Sequence, residues 1–365
     1  MRVGVVCPYS LTLPGGVQVQ VLGLAGALRR QGVDARVLGP CDGPPPAPFV
    51  TPLGNSVPAV GNGSMAAIAP DPAAALRTVR ALREEAFDVV HLHEPFVPGP
   101  CLTAMVVKPA PLVGTFHRSG VSGWYRTLRP LRRWSVDHID ARFAVSEAAA
   151  ATVRATFGRG CEVLWNGIDV ERFDRARPWA ADGPTVLFIG RHEERKGLAV
   201  LVDALDRIGR SVTLWVVGEG PQSGALRART AGDRRVQWLG AVDESEKAAR
   251  LRAADVVCVP SLHGESFGVV LLEALAAGAA VVASDLAGYR RVVRAGVDGW
   301  LVPPGDPGAL AAAVAAALDG GGRRGPLARA GRRRAARFGM DRLAGRYVEV
   351  YERLVRQGRR PGRAV

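Results

Sequence analysis

DVVCVPSLHGESFGVVLLEALAAGAAVVASD, residues 255–285, decides the fold. An apolar run, Val256 to Val259, stops at Pro260 and a polar loop. A helix is predicted from Ser266 to Gly278, and a second apolar run, Ala279 to Ala283, follows at once. Strand, loop, helix and strand make the repeating unit of a parallel sheet. Two carboxylates mark this copy of it. Glu265 stands in the loop, and Glu273 interrupts an otherwise apolar helix, where a buried charge demands a partner. Between them, the amides of Phe267, Gly268 and Val269 are placed at a helix N-terminus, a seat for hydroxyl or phosphate oxygens. Either acid alone reads more readily as a cap or a partly solvated surface residue. Together with those amides they suggest a helix that grips a sugar at one end and a ribose at the other.

The same unit recurs in both directions. Strands are predicted at Val186–Ile189, Val212–Val217 and Val236–Leu239, with helices at Leu198–Ile208, Ser245–Ala254 and 306–318. An earlier series has strands at Val3–Cys7, Ala35–Leu38, Val89–Leu92, Leu112–Phe116, Phe143–Val145 and Glu162–Leu164. Its helices are predicted at Val17–Arg30, Pro72–Ala86, 126–138 and Ala148–Phe157, and a Pro/Gly-rich loop spans 42–58. Between the two series, residues 165–184 are rich in turn formers and carry little periodicity, which reads as a hinge. The expected architecture is α/β, with two doubly wound Rossmann-like domains, 1–166 and 167–340, facing a central cleft. In 341–357 one helical stripe carries Leu343, Tyr347, Val350, Tyr351 and Leu354, so this last helix is expected to pack back on the first domain.

With 365 residues and 48% apolar content, the chain has room for two cores. Its five cysteines are scattered without a C-x-x-C pair and read as reduced core residues rather than a disulfide frame. No apolar stretch reaches the length of a membrane span. The opening MRVGVVCPYS is too short in its apolar part for a signal peptide and reads as a first strand. Net charge is +14, and residues 323–365 alone hold 14 Lys/Arg against 3 Asp/Glu. Such a balance favours anionic surfaces, but no nucleic-acid recognition motif accompanies it. A G-x-G-x-x-G fingerprint is also missing, which argues against a dinucleotide-dependent oxidoreductase.

Other candidates sit at predicted strand ends. Pro14, Gly15 and Gly16 open the first helix, where a phosphate would be favoured. His117 closes the strand LVGTFH. Arg191 and Lys196, in GRHEERKG with Arg195 beside them, supply cations for a leaving diphosphate. Val242, Asp243, Glu244 and Lys247 follow a third strand of the second series.

With these residues in place, Glu265-Ser-Phe-Gly-x₄-Glu273 resembles the E-x₇-E motif of retaining GT-B glycosyltransferases. The whole chain resembles the actinobacterial phosphatidyl-myo-inositol mannosyltransferases. The shared runs include RVGVVCPYS…PGGVQ, FDVVHLHEP at 87–95, NGIDVERF at 166–173 and GESFGVVLLEALAAG at 264–278. The resemblance implies transfer of mannose from GDP-mannose to phosphatidyl-myo-inositol, or a mannosylated form of it, with retention of configuration and no cofactor or metal. Gly16, Arg191, Arg195 and Lys196 would hold the diphosphate. Val242, Asp243, Glu244 and Lys247 would meet the guanosine. Glu265 and the amides from Ser266 to Val269 would hold the mannose, Glu273 the ribose, and His117 the mannose near the reacting centre. Tyr9, Gln18 and Asn62 would meet the acceptor. The acceptor side departs from the family pattern at Thr12, Gly61 and Ala67. The alternative is a related retaining enzyme with a soluble acceptor or another nucleotide sugar. The resemblance also implies a cytoplasmic protein held peripherally on the anionic inner face of the plasma membrane. Helix 72–86 is the expected contact, with Leu76, Val79, Leu82 and Ala86 on an apolar stripe beside Arg77, Arg80 and Arg83. The loop Trp124–Tyr125–Arg126, with Arg129, Arg132 and Arg133, is a second candidate contact.

Overall fold

The computed structural model describes residues 1–13, 15–61, 64–118, 120, 136–265 and 267–358. Pro14, Asn62, Ser266, the 124–126 loop, Arg129, Arg132, Arg133 and most of the helix predicted at 126–138 lie outside the described residues. The chain divides into two compact units, Met1–Gly167 with Met340–Val365, and Ile168–Gly339.

Unit 1 is built on a parallel sheet of seven strands. In chain order these are β1 (Arg2–Val6), β2 (Asp34–Gly39), β3 (Val50–Pro52), β6 (Val89–His93), β7 (Leu112–Phe116), β8 (Ala141–Ala144) and β9 (Glu162–Val163). The antiparallel pair β4 (Val57–Gly61) and β5 (Ser64–Ile68) stands apart from it. The sheet order is β3-β2-β1-β6-β7-β8-β9, so the winding reverses between β1 and β6. Unit 2 holds β10 (Thr185–Ile189), β11 (Thr213–Val217), β12 (Val236–Gly240), β13 (Val256–Val259), β14 (Ala280–Ser284) and β15 (Trp300–Val302). Its order, β12-β11-β10-β13-β14-β15, reverses between β10 and β13. Strands such as β6, β7, β13 and β14 are buried along their whole length, as a sheet covered on both faces requires. Ligands in such sheets bind beyond the carboxyl ends of the strands at the reversal. The loops after β1 and β6, and after β10 and β13, are therefore the places to look.

Several boundaries differ from the sequence reading. The loop expected at 42–58 contains β3 and the start of β4; prolines at 52 and 58 obscured both. The hinge stretch contains a short helix, Val170–Arg175, capped by Asp169, which accepts from the Arg172 amide at 3.1 Å. Helices at Pro100–Val107 and Pro326–Ala335 went unread because each begins with a proline and lacks a clean apolar stripe. The last helix, Met340–Gly358, buries Leu343, Tyr347, Val350, Tyr351 and Leu354 in unit 1 against Val21, Leu24 and Leu28 of the helix Gly16–Arg30. Each of these side chains contributes about 1.5–3 kcal/mol when fully buried.

Candidate active site

The quoted stretch folds as strand, loop, helix and strand, but its helix starts at Val269 rather than Ser266. Gly268 is the reason. Its φ of +88° is a left-handed conformation, and a Cβ there would lie 2.8 Å from the Tyr289 ring. Glu265 therefore stands clear of the helix, in the loop after β13. Phe267 buries its ring against Phe338, so only its backbone faces a ligand.

Because β10 and β13 are neighbours, the loops that follow them meet. The Leu262 amide donates to the Arg195 carbonyl at 2.7 Å. Gly197, at φ +68°, packs so closely that a Cβ would lie 1.9 Å from the Pro260 carbonyl oxygen. This strapping brings cations to Glu265. Lys196 Nζ lies 2.5 Å and Arg195 Nη1 3.1 Å from Glu265 Oε1. Glu193 bridges Arg195 at 2.9 Å and the more exposed Arg191 at 3.0 Å. The result is a half-buried network of three cations and two carboxylates at the reversal point. Two contributors were missed in the sequence. Glu193 was hidden in an ordinary charge run. Tyr289 is fully buried and donates to Ser261 Oγ at 2.9 Å; burial first, then Glu265, raises its pKa.

The second carboxylate found its partner. Glu273 is 4% exposed, and its carboxylate lies 2.6 Å from Lys247 Nζ. Burial raises the pKa of Glu273, with Lys247 opposing the shift. Lys247 also meets Glu244 at 3.2 Å, and Arg172 reaches Glu244 at 2.5 Å. Positive and negative groups thus alternate from Arg172 to Glu273. Asp243 uses Oδ1 to cap the helix Glu244–Ala253, accepting from the Glu246 amide at 2.7 Å. Val242 precedes it in the loop, half-buried. The loop after β11 is held by Gly218, whose Cβ position falls 2.1 Å from the Gly190 carbonyl oxygen, and by Gly220 against His192.

In unit 1, three histidines line up along β6 and just past the end of β7, with His91 in mid-strand, His93 closing β6 and His117 following β7. His91 bonds Tyr351 through Nδ1 and Thr115 through Nε2, both at 2.7 Å, and the Tyr347 hydroxyl meets Thr115 at 2.9 Å. His93 Nδ1 and His117 Nε2 are 2.9 Å apart. Burial lowers His91 and His117 to about 3 and His93 well below its ordinary value, so all three are neutral at pH 7. Glu94, at φ +52°, accepts from the amides of His117 at 2.5 Å and Arg118 at 2.7 Å. His91, His93 and Glu94 were not singled out in the sequence, though HLHE carried a signal: ionisable side chains in an apolar strand, with His91 and His93 on one face by the strand's period of two. Tyr9 and Gln18 stand after β1 at the same edge, where Gln18 Nε2 donates to the Ser10 carbonyl at 3.3 Å. Gly16 begins its helix with open space where a Cβ would be, so packing within the protein does not demand a glycine there.

Comparison with known proteins matches residues 183–320 to the glycosyl transferases group 1 model and residues 14–172 to glycosyltransferase family 4. The phosphatidyl-myo-inositol mannosyltransferase of Mycobacterium leprae is 40% identical over 372 residues, covering 98% of each chain. That of Mycolicibacterium smegmatis is 40% identical over 368 residues, 96% of this chain and 94% of the relative. Among solved structures, sucrose-phosphate synthase from Thermosynechococcus elongatus superposes with a TM-score of 0.77 at 22% identity, over 98% of this chain and 99% of that one. That likeness speaks to the fold, which is GT-B. The chain belongs to the phosphatidyl-myo-inositol mannosyltransferase family of glycosyltransferases.

Proposed function

We propose that this enzyme transfers mannose from GDP-mannose to the inositol of phosphatidyl-myo-inositol, or of a mannosylated form, with retention of configuration. The observation that carries the reading is the meeting of Lys196 and Arg195 with Glu265 at the reversal of the unit 2 sheet, in a chain so similar to this family throughout. The bond from the anomeric carbon to the diphosphate oxygen breaks, and the bond to an inositol oxygen forms on the same face. The inositol proton passes to the departing diphosphate. Arg191, Arg195 and Lys196 supply positive charge where the leaving group becomes more negative. Glu265 and the backbone from Ser266 to Val269 hold the sugar hydroxyls, and Glu273 with Lys247 and Glu244 holds the nucleoside. His117, kept neutral by burial, offers a hydrogen bond to the sugar rather than a charge. Tyr9, Gln18 and Asn62 receive the acceptor head group. The site as read uses the nucleotide sugar and no cofactor.

No helix among the described residues is long and apolar enough to cross a membrane. The proposed setting is the anionic inner face of the plasma membrane, met by the helix Pro72–Glu85. Its outer face carries Leu76, which is 71% exposed, with Arg80 and Arg83.

Labelled GDP-mannose offered to phosphatidylinositol vesicles, inositol phosphate and water, with UDP-sugars as rival donors, tests the reading. Mannosylated lipid should dominate, and Lys196→Ala should lower turnover by about two to three powers of ten. Label appearing only in inositol phosphate, or only from a UDP-sugar, would sink it.

A further inference from the structure

Unit 2 contains a second concentration of positive charge that none of the donor residues share. A cavity of about 170 Å³ is lined by Arg252, Arg323, Arg324, Arg329 and Arg332, with Gly278 at its wall. Arg252 lies in the last turn of the helix Glu244–Ala253, and Gly278 ends the helix Val269–Ala277. Arg329 and Arg332 come from Pro326–Ala335.

Five guanidinium groups around one cavity create a local field that favours an anion. Among the described residues, carboxylates offset little of that field. Arg323 meets Asp255 at 3.6 Å, and Arg332 pairs with Asp174. Among the described residues, no carboxylate pairs with Arg252, Arg324 or Arg329. Arg252 donates weakly to the Ala277 carbonyl at 3.4 Å, and its Nε is buried with no partner. Cations near a helix C-terminus are stabilised by the helix dipole, which accounts for Arg252. Arg332 is likewise in the last turn of its helix, but Arg329 sits near the N-terminal end of Pro326–Ala335, where the dipole opposes a cation. A volume of 170 Å³ corresponds to about six water molecules, enough for one phosphoryl group and its hydration. Guanidinium forks match phosphoryl oxygens in pairs, and several forks around a concave wall suit a compact dianion better than an extended strand of nucleic acid.

We propose that this cavity is a binding site for a phosphoryl group, either free phosphate or the phosphate of a lipid head group, separate from the nucleotide-sugar site. Its occupant gives Arg252, Arg324 and Arg329 an anionic partner.

The test is calorimetric titration with inorganic phosphate at fixed ionic strength, chloride replacing phosphate in the control. Three proteins are compared: the unmodified chain, Arg324→Gln/Arg329→Gln, and Arg191→Gln/Lys196→Gln as a donor-site control. Phosphate should bind the first and third, and at least about tenfold more weakly to the second. Arg324 and Arg329 are exposed, so the pocket variant should melt as the parent does. The charge-preserving Arg324→Lys/Arg329→Lys should recover only part of the affinity, because lysine restores the charge without the fork. Equal phosphate affinity in the parent and the pocket variant overturns the proposal. So does the loss of all phosphate binding in the donor-site control, which would leave the cavity empty. Glycerophosphoinositol binding more tightly than inorganic phosphate assigns the site to a lipid head group; the reverse order assigns it to free phosphate.

Discussion

Glu273, 4% exposed, and Lys247 lie 2.6 Å apart as a largely buried ion pair. Removing Lys247 leaves a carboxylate buried without its partner, an imbalance that costs about 3–5 kcal/mol. Lys247→Ala should therefore destabilise unit 2 by that order, and Lys247→Ala/Glu273→Gln should regain much of the loss. Chemical denaturation of the two variants measures it. If the double variant is no more stable than the single, the pair is not the cause. The residue scale also predicts a pH response. His91 titrates near 6.5 in an unfolded chain, while burial lowers it to about 3 in the fold. As pH falls below 6.5, the unfolded chain takes up a proton here and the folded chain does not until about pH 3. Stability at this site is lost through that window, by about 1.4 kcal/mol per pH unit. Replacing His91 with Gln should reduce proton uptake on unfolding between pH 6 and 4 by about one, seen as a shallower dependence of stability on pH. An unchanged slope would show that His91 is already protonated in the fold.

At the scale of an element, the helix Pro72–Glu85 departs from the stripe read in sequence. Leu82 is buried with Ala74, Thr78 and Ala81, so it anchors the helix to unit 1 and is not offered to a membrane. Arg77 donates from Nε to the Leu53 carbonyl at 2.8 Å, and Arg80 pairs with Glu84 at 2.7 Å on the surface. The face left for an anionic surface is Leu76, Arg80 and Arg83. An arginine near such a surface contributes about 1 kcal/mol. Arg80→Ser/Arg83→Ser should then weaken sedimentation with anionic vesicles by roughly thirtyfold while GDP binding holds. Arg77→Ser, by contrast, should act on stability. Should the double variant sediment like the parent, another segment meets the membrane.

Across the whole molecule, the chain leaves unit 1 at Gly167 and re-enters it at Met340. The returning helix does more than cover a surface. Tyr351 bonds His91, and Tyr347 bonds Thr115, so the hydroxyls of the last helix support the row that ends at His117. A chain ending at residue 339 should lose stability in unit 1, together with its acceptor-dependent activity, while unit 2 keeps nucleotide binding. Scanning calorimetry and nucleotide titration on that truncation decide it; an unchanged melting profile would argue against the support.

The pattern of 255–285 gave one unit of a parallel sheet, and its recurrence in two series along the chain gave the doubly wound α/β architecture, because strands buried on both faces read as unbroken apolar runs. Glu273 could be read as needing a partner, since an acid in an apolar helix has no other way to be stable. The stripe of the last helix was legible for the same reason: five large apolar positions at helical spacing must be covered. Which lysine answers Glu273 could not be read, because Lys247 lies 26 residues away and only the packing of two helices brings it near. Nor could the helix start at Val269, which depends on the Tyr289 ring filling the space beside Gly268. Leu82 and Leu76 look alike in sequence, both apolar on one amphipathic helix. Only the placement of that helix against the sheet made one of them core and left the other exposed.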